Sequence, residues 1–156
     1  MVTETPKAAG AVVPPPLLFL GGFILGAVIN FFFPTPIWPG TWVQLLGVLV
    51  LVLGVWLLTS AFRTLARDKT RPEPWEPTVE LVQDGPYSFS RNPIYLSFAL
   101  MYLGFSCIFN SLFALIVFAL VLIVVDRKQI QREERYLEAK FNEEYRRYKS
   151  KVRRWI

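Results

Sequence analysis

Histidine is absent from this chain of 156 residues, and cysteine occurs once, at Cys107. The first absence removes the commonest general base, the usual zinc ligand and any catalytic triad built on an imidazole. The second excludes internal disulfides and multi-thiolate metal sites, leaving Cys107 as a small apolar filler. Charge is also sparse: 19% of residues are charged against 53% hydrophobic, too apolar for an ordinary soluble domain. The N-terminus is not expected to be a secretory signal, since Lys7 is the only early cation and Pro14, Pro15 and Pro16 lead into the first apolar run without a small-residue cleavage site. Residues 1–16 therefore read as a disordered cytoplasmic lead. No convincing dinucleotide loop is present; Gly21, Gly22 and Gly26 fall inside an apolar run, where small residues permit close helix packing. Whatever chemistry occurs must use carboxylates, arginine, tyrosine or the backbone.

What is there is apolar sequence in four runs. Residues 17–33 and 42–62 are uncharged and approach the roughly 20 residues that cross a bilayer. Pro34 and Pro36 mark the turn between them, and Trp38 and Trp42 suit a headgroup boundary. Residues 94–109 and 111–125 are shorter, with Asn110 and Ser111 as a tight turn, and read as a helical hairpin. The 63–93 loop carries Arg63, Arg67, Lys69, Arg71 and Arg91, whereas the other two turns hold no Lys or Arg. Positive-inside counting puts this loop and both termini in the cytoplasm, which four spans satisfy. The expected fold is all-α and integral to the membrane: four transmembrane helices plus a cytoplasmic C-terminal amphipathic helix over 126–152, in one domain spanning 17–156.

The net charge of +5 sits in the tail: residues 1–125 hold six Lys/Arg and six Asp/Glu, residues 126–156 eleven and six. Such a tail suits anionic headgroups or a solvated, ion-paired helix better than nucleic acid. Ile130, Leu137, Phe141, Tyr145, Tyr148, Val152 and Trp155 trace an apolar stripe along it. Relative to Leu137, Asp126 and Glu133 fall about 20° and 40° away, Glu134 about 60° on the other side and Arg132 about 140° away, at 100° per residue. Glu133 thus faces the packed side, where a carboxylate needs a partner, and Arg132 faces out. Glu143 and Arg147 have the spacing of a surface ion pair.

The densest polar chemistry is Asp84 to Tyr95, Asp-Gly-Pro-Tyr-Ser-Phe-Ser-Arg-Asn-Pro-Ile-Tyr, set directly against the third run. That stretch, a hairpin, and then Arg132-Glu133-Glu134-Arg135-Tyr136-Leu137 and Phe141-Asn142-Glu143-Glu144-Tyr145 resemble the isoprenylcysteine carboxyl methyltransferase and phospholipid methyltransferase superfamily in its bacterial-type form. The likeness covers about 79–155. It implies an S-adenosylmethionine-dependent enzyme of a bacterial inner membrane, acting on a lipophilic acceptor: a lipid, an isoprenoid-linked carboxylate or a small apolar molecule.

By the same resemblance, Val79, Glu80, Leu81, Val82, Tyr87, Asn92, Pro93, Ile94 and Tyr95 line the cofactor site, and Glu133 meets the cofactor's amino-acid end. A carboxylate there suits an ammonium and a sulfonium, and the rings of Tyr87 and Tyr95 suit stacking or cation–π contact. Prenylcysteine enzymes have His-Pro where this chain has Asn92-Pro93, and an arginine on the substrate where it has Gln129. The acceptor is therefore open. A carboxylate acceptor calls for a cation, Arg91 or Arg127; an amine acceptor calls for a proton taker, Glu134 or Tyr95. Arg91 and Glu134 are the catalytic candidates, although Arg91 also reads as a snorkelling cation and Glu134 as an outer or helix-surface charge. Two other classes compete: a non-catalytic membrane scaffold with a lipid- or partner-binding tail, and a membrane reductase using a nicotinamide cofactor.

Overall fold

Pro15 and Pro16 open the first helix, α1 (Pro15–Phe32), because their fixed φ suits a first turn whose N–H groups have no helical partner. The helix thus starts two residues inside the expected lead. The structure, a computed structural model, describes residues 14–68 and 80–156, so the remainder of that lead and Val79 lie outside it. α2 spans Trp42–Arg67, with Arg67 in its last turn opposite the negative end of the helix dipole. A short 3-10 turn over Gly85–Ser88 precedes α3 (Pro93–Ile108). α4 is Leu112–Val124, and a π-turn at Val125–Ile130 joins it to α5 (Gln131–Lys151). No strand occurs among the described residues.

Asn110 stands at φ 49°, a left-handed conformation that asparagine tolerates, and Ser111 caps α4 by accepting from the Ala114 N–H at 3.2 Å. The Asn110 side chain also reaches the other turn. Its Oδ1 accepts from the N–H groups of Ile37 (2.9 Å) and Trp38 (3.2 Å), and its Nδ2 donates to the Trp38 carbonyl at 2.9 Å. The α1–α2 and α3–α4 turns therefore lie together at one end, and the Asp84–Tyr95 stretch lies at the other.

α3 packs chiefly on α2, and α4 on α1. Glycine sets both contacts. A methyl added at Gly47 would stand 2.7 Å from the Gly104 carbonyl, and one at Gly104 2.8 Å from the Leu51 nitrogen. On the other pair, Gly26 lies against the Ala114 backbone and Gly22 against Val121, while Gly21 meets nothing within 4 Å. The core between the pairs holds Phe19, Tyr95, Ala99, Tyr102, Ala114, Val125 and Ile130. Cys107 is buried beside Gly47, as a filler would be.

The outward faces are apolar. Leu45, Val52 and Trp56 of α2 are 71%, 58% and 62% exposed, and Phe31 of α1 is 80% exposed. α1 and α2, with mean hydropathies of 1.9 and 2.5, are long and apolar enough to cross a membrane. α5 buries Tyr145, Tyr148 and Val152 with Leu81, Leu137 and Phe141 beside them, which is most of the expected stripe. It bends at Asn142, where φ is 46° and ψ −117°. The expected Glu143–Arg147 pair is replaced by Arg146, which meets Glu143 at 2.6 Å and Glu138 at 3.3 Å. Glu143 and Arg147 both follow the bend; Arg146, three residues on from Glu143, is an equally near helical neighbour and also reaches Glu138 on the other side of it.

Candidate active site

The turn at Gly85–Ser88, the start of α3 and the first turn of α5 enclose a cavity of about 60 Å³, lined by Pro15, Tyr87, Arg91, Asn92, Pro93, Ile94, Tyr95 and Glu133. Gly85 enables this approach: at φ 55° it turns the chain against Thr64 of α2, where an added methyl would meet Thr64 Oγ1 at 2.8 Å. Pro93 starts α3 directly after Asn92 and so fixes Ile94 and Tyr95 at the cavity wall. Across from them the Tyr95 hydroxyl donates to Glu133 Oε2 at 3.0 Å.

Glu133 is half-buried, and its carboxyl is pushed above the usual range, chiefly by burial. The Tyr95 hydrogen bond pulls it back down, and the neighbouring Glu134 pushes it further up. Burial also raises the Tyr87 phenol, with Glu133 and Tyr148 adding to the shift, so that ring presents a neutral hydroxyl. Its carbonyl accepts from the Tyr148 hydroxyl at 2.7 Å, which ties the turn to the second half of α5.

Glu134 is buried at 6% exposure and belongs to an ion network behind the cavity. Arg91 Nη1 stands 3.1 Å from its Oε1, and Arg154 grips both oxygens, Nε at 3.0 Å and Nη2 at 2.8 Å. Arg154 Nη1 also reaches Asp126 at 3.1 and 3.3 Å, and the Trp155 indole donates to Asp126 at 3.1 Å. Arg91 donates to the Tyr145 hydroxyl at 3.4 Å, yet its buried Nε has no acceptor among the described residues. The Tyr145 phenol is raised to about 12, first by burial. Two arginines thus balance two carboxylates, and no ion pair reaches Glu133 among the described residues.

The expected site residues separate along this geometry. Tyr87, Asn92, Pro93, Ile94, Tyr95 and Glu133 come together with Arg91. Glu80 is exposed, and Leu81 and Val82 lie outside the cavity, Leu81 packing against the α5 tyrosines. Asn92 spends its amide on the Arg154 carbonyl at 3.0 Å. Arg91 is held inside rather than snorkelling, and Glu134 is bound by two arginines rather than solvated on a helix face. The reason is shared: each is a buried charge that persists only with a partner. Arg132 is exposed, as its helical phase required. Sequence reasoning passed over Arg154 and Ser90; the signal for Arg154 was the pair of inward carboxylates, Asp126 and Glu134, still owed a cation.

Two apolar grooves flank α3. One, about 520 Å³, runs between Leu96, Ala99, Leu100 and Leu103 of α3 and Phe118, Leu122 and Ile123 of α4, and ends at Asp126, Arg127 and Trp155. The other, about 400 Å³, lies between α1 and α3 and is almost wholly apolar.

The sequence pattern of the phospholipid methyltransferase family matches residues 42–144, well over half of the chain, and the protein belongs to that family. It is 35% identical over 112 residues to a protein-S-isoprenylcysteine O-methyltransferase of Saccharomyces cerevisiae, covering 69% of this chain and 46% of the yeast one. A protein-S-isoprenylcysteine O-methyltransferase of Schizosaccharomyces pombe is 35% identical over 72 residues, 46% of this chain and 30% of its own. The chain thus spans less than half the length of either yeast relative. An uncharacterized protein of Haemophilus influenzae is 44% identical over its whole length, which is 40% of this chain. No solved structure matches.

Proposed function

We propose that this protein is an integral membrane methyltransferase that passes the methyl group of S-adenosylmethionine to a lipophilic acceptor at the cytoplasmic membrane face. The observation that carries this reading is an unlike pair sharing one cavity: Glu133, without a cation, and Arg91, with an unmatched Nε. An amino-acid zwitterion beside a cationic sulfonium is complementary to that pair, the ammonium and sulfonium toward Glu133 and the carboxylate toward Arg91. The residues present therefore fit the cofactor, with the rings of Tyr87 and Tyr95 available for cation–π contact. Bound there, S-adenosylmethionine would supply an electrophilic methyl group to the acceptor's lone pair, with the thioether as leaving group. The family membership and the yeast relatives named as methyltransferases support the same chemistry.

The chain's own part is alignment in a site poor in water, which needs no histidine. Tyr95 holds the Glu133 carboxylate in place, while Glu134, bonded to two arginines, orients Arg91 and is not a proton taker. The α3–α4 groove offers the acceptor's chain a route from the lipid, and Arg127 at its polar end is placed to meet an anionic group on the acceptor. In this reading α1 to α4 all cross the membrane, their exposed apolar faces meeting hydrocarbon, with α5 and both termini cytoplasmic. α3, at about 24 Å for 16 residues, is short for a 30 Å core and spans with its ends at headgroup level.

Titrating the protein in nanodiscs with S-adenosylmethionine, then tracing a labelled methyl group into lipid extracts, tests the proposal. Saturable binding and label in the lipid fraction are expected. A folded protein that binds no cofactor, yet holds anionic lipid in a salt-sensitive way indifferent to Glu133→Gln, is a scaffold and overturns it.

A further inference from the structure

Arg154 does not line the cavity, yet its side chain contacts both carboxylates of the ion network behind it. Its guanidinium makes two hydrogen bonds to Glu134 and two to Asp126, and its carbonyl accepts from Asn92 Nδ2 at 3.0 Å and Ser90 Oγ at 3.5 Å. The preceding carbonyl, of Arg153, accepts from the Arg91 N–H at 3.0 Å. One short segment thus joins the Ser90–Asn92 stretch to the helix that bears Glu133 and Glu134. Asp126 is occupied from the same side by the Trp155 indole.

Glu134 is shared by Arg91 and Arg154, its Oε1 meeting both. While Arg154 holds Glu134, the carboxylate cannot close fully on Arg91, and Arg91 Nε stays without an acceptor. Resting on the cofactor reading above, we propose that Arg154 is a positioning residue: through Glu134 it keeps Arg91 available for the carboxylate of the cofactor. Without Arg154, Glu134 and Asp126 face one remaining arginine, and Glu134 turns to Arg91, consuming the donor the ligand needs.

Two measurements test this. Titration with S-adenosylhomocysteine is expected to show Arg154→Gln binding at least about tenfold more weakly than the parent, the scale of a lost charged hydrogen-bond pair. Glu134→Gln combined with Arg154→Gln should bind no more than about twofold worse than Glu134→Gln alone, because the two act through one contact. Arg154→Lys, folded but unable to bridge two carboxylates with a planar fork, should recover only part of the affinity. Independently of any ligand, the Arg91 Nε–H resonance of ¹⁵N-arginine-labelled protein should shift in Arg154→Gln as Glu134 turns to it. Additive losses, affinity within twofold of the parent, or an unmoved Arg91 resonance overturn the inference. A parent that binds no ligand overturns the cofactor reading alone, and the resonance then decides the role of Arg154.

Discussion

The Tyr95 hydroxyl donates to the Glu133 carboxylate at 3.0 Å, joining the first turn of α3 to the first turn of α5 across the cavity. This bond spans 38 residues of sequence and is the sole hydrogen bond to Glu133 among the described residues. It directs the group on which the proposed cofactor site depends and partly offsets the rise in its pKa that burial causes.

Glu133→Gln should weaken cofactor binding by about 10- to 100-fold, the loss of a charged hydrogen-bonding group in a desolvated site, whereas Arg132→Gln should stay within about twofold. The exposure of Arg132 is the reason for the contrast. Parallel titrations with S-adenosylmethionine check it, and equal effects contradict the assignment of helix faces.

The same substitution should stabilise the empty protein at neutral pH. The Glu133 pKa is raised above its ordinary 4.5 when folded, so between that value and the raised one the native state binds more protons than the unfolded state. Stability therefore falls as pH rises through this window, and Glu133→Gln removes the fall. Thermal unfolding from pH 4 to 8 should show the variant's advantage growing with pH; a constant difference contradicts it.

Tyr95→Phe removes the hydrogen bond that pulls the Glu133 pKa down. Cofactor binding should weaken by several-fold, less than the loss of a charged hydrogen-bonding group, because the carboxylate itself remains. Its loss on acidification should begin at a higher pH than in the parent. Binding measured as a function of pH reads both effects.

Leu100→Trp, projecting into the α3–α4 groove, should raise the KM for the acceptor while leaving cofactor affinity within about twofold, since the groove and the Glu133 cavity share no lining residue. Assays with acceptors of different chain length should show the longest affected most. An unchanged KM shifts the acceptor's route to the α1–α3 groove.

Much of this architecture was legible from residue spacing. Pro34, Pro93 and Asn110–Ser111 mark helix ends, although α1 takes in Pro15 and Pro16 and α2 runs past Phe62 to Arg67; 100° stepping turned Glu133 inward and Arg132 outward. The helical step also placed Asp126 and Glu134 near the packed face without naming their partner. Arg154 reaches them only because the chain bends at Asn142 and runs back past Ser90, and no local period encodes that return. Helical spacing likewise allowed Glu143 either Arg146 or Arg147, and the structure pairs it with Arg146. For Leu81, resemblance indicated the cofactor site; the packing of its side chain on the Tyr145–Tyr148 cluster is a contact that no local period encodes.

The contact of Gly47 with Gly104 has a mechanical consequence. With two backbones touching, α3 has no slack toward α2, and the cavity wall built on Pro93, Ile94 and Tyr95 behaves as an anvil. A cavity of about 60 Å³ is far smaller than a nucleoside, so room for the proposed cofactor would have to come from the opposite jaw, the Tyr87 turn and α5. Hydrogen exchange on ligand binding should accordingly change in that jaw and leave the α2–α3 seam unaltered.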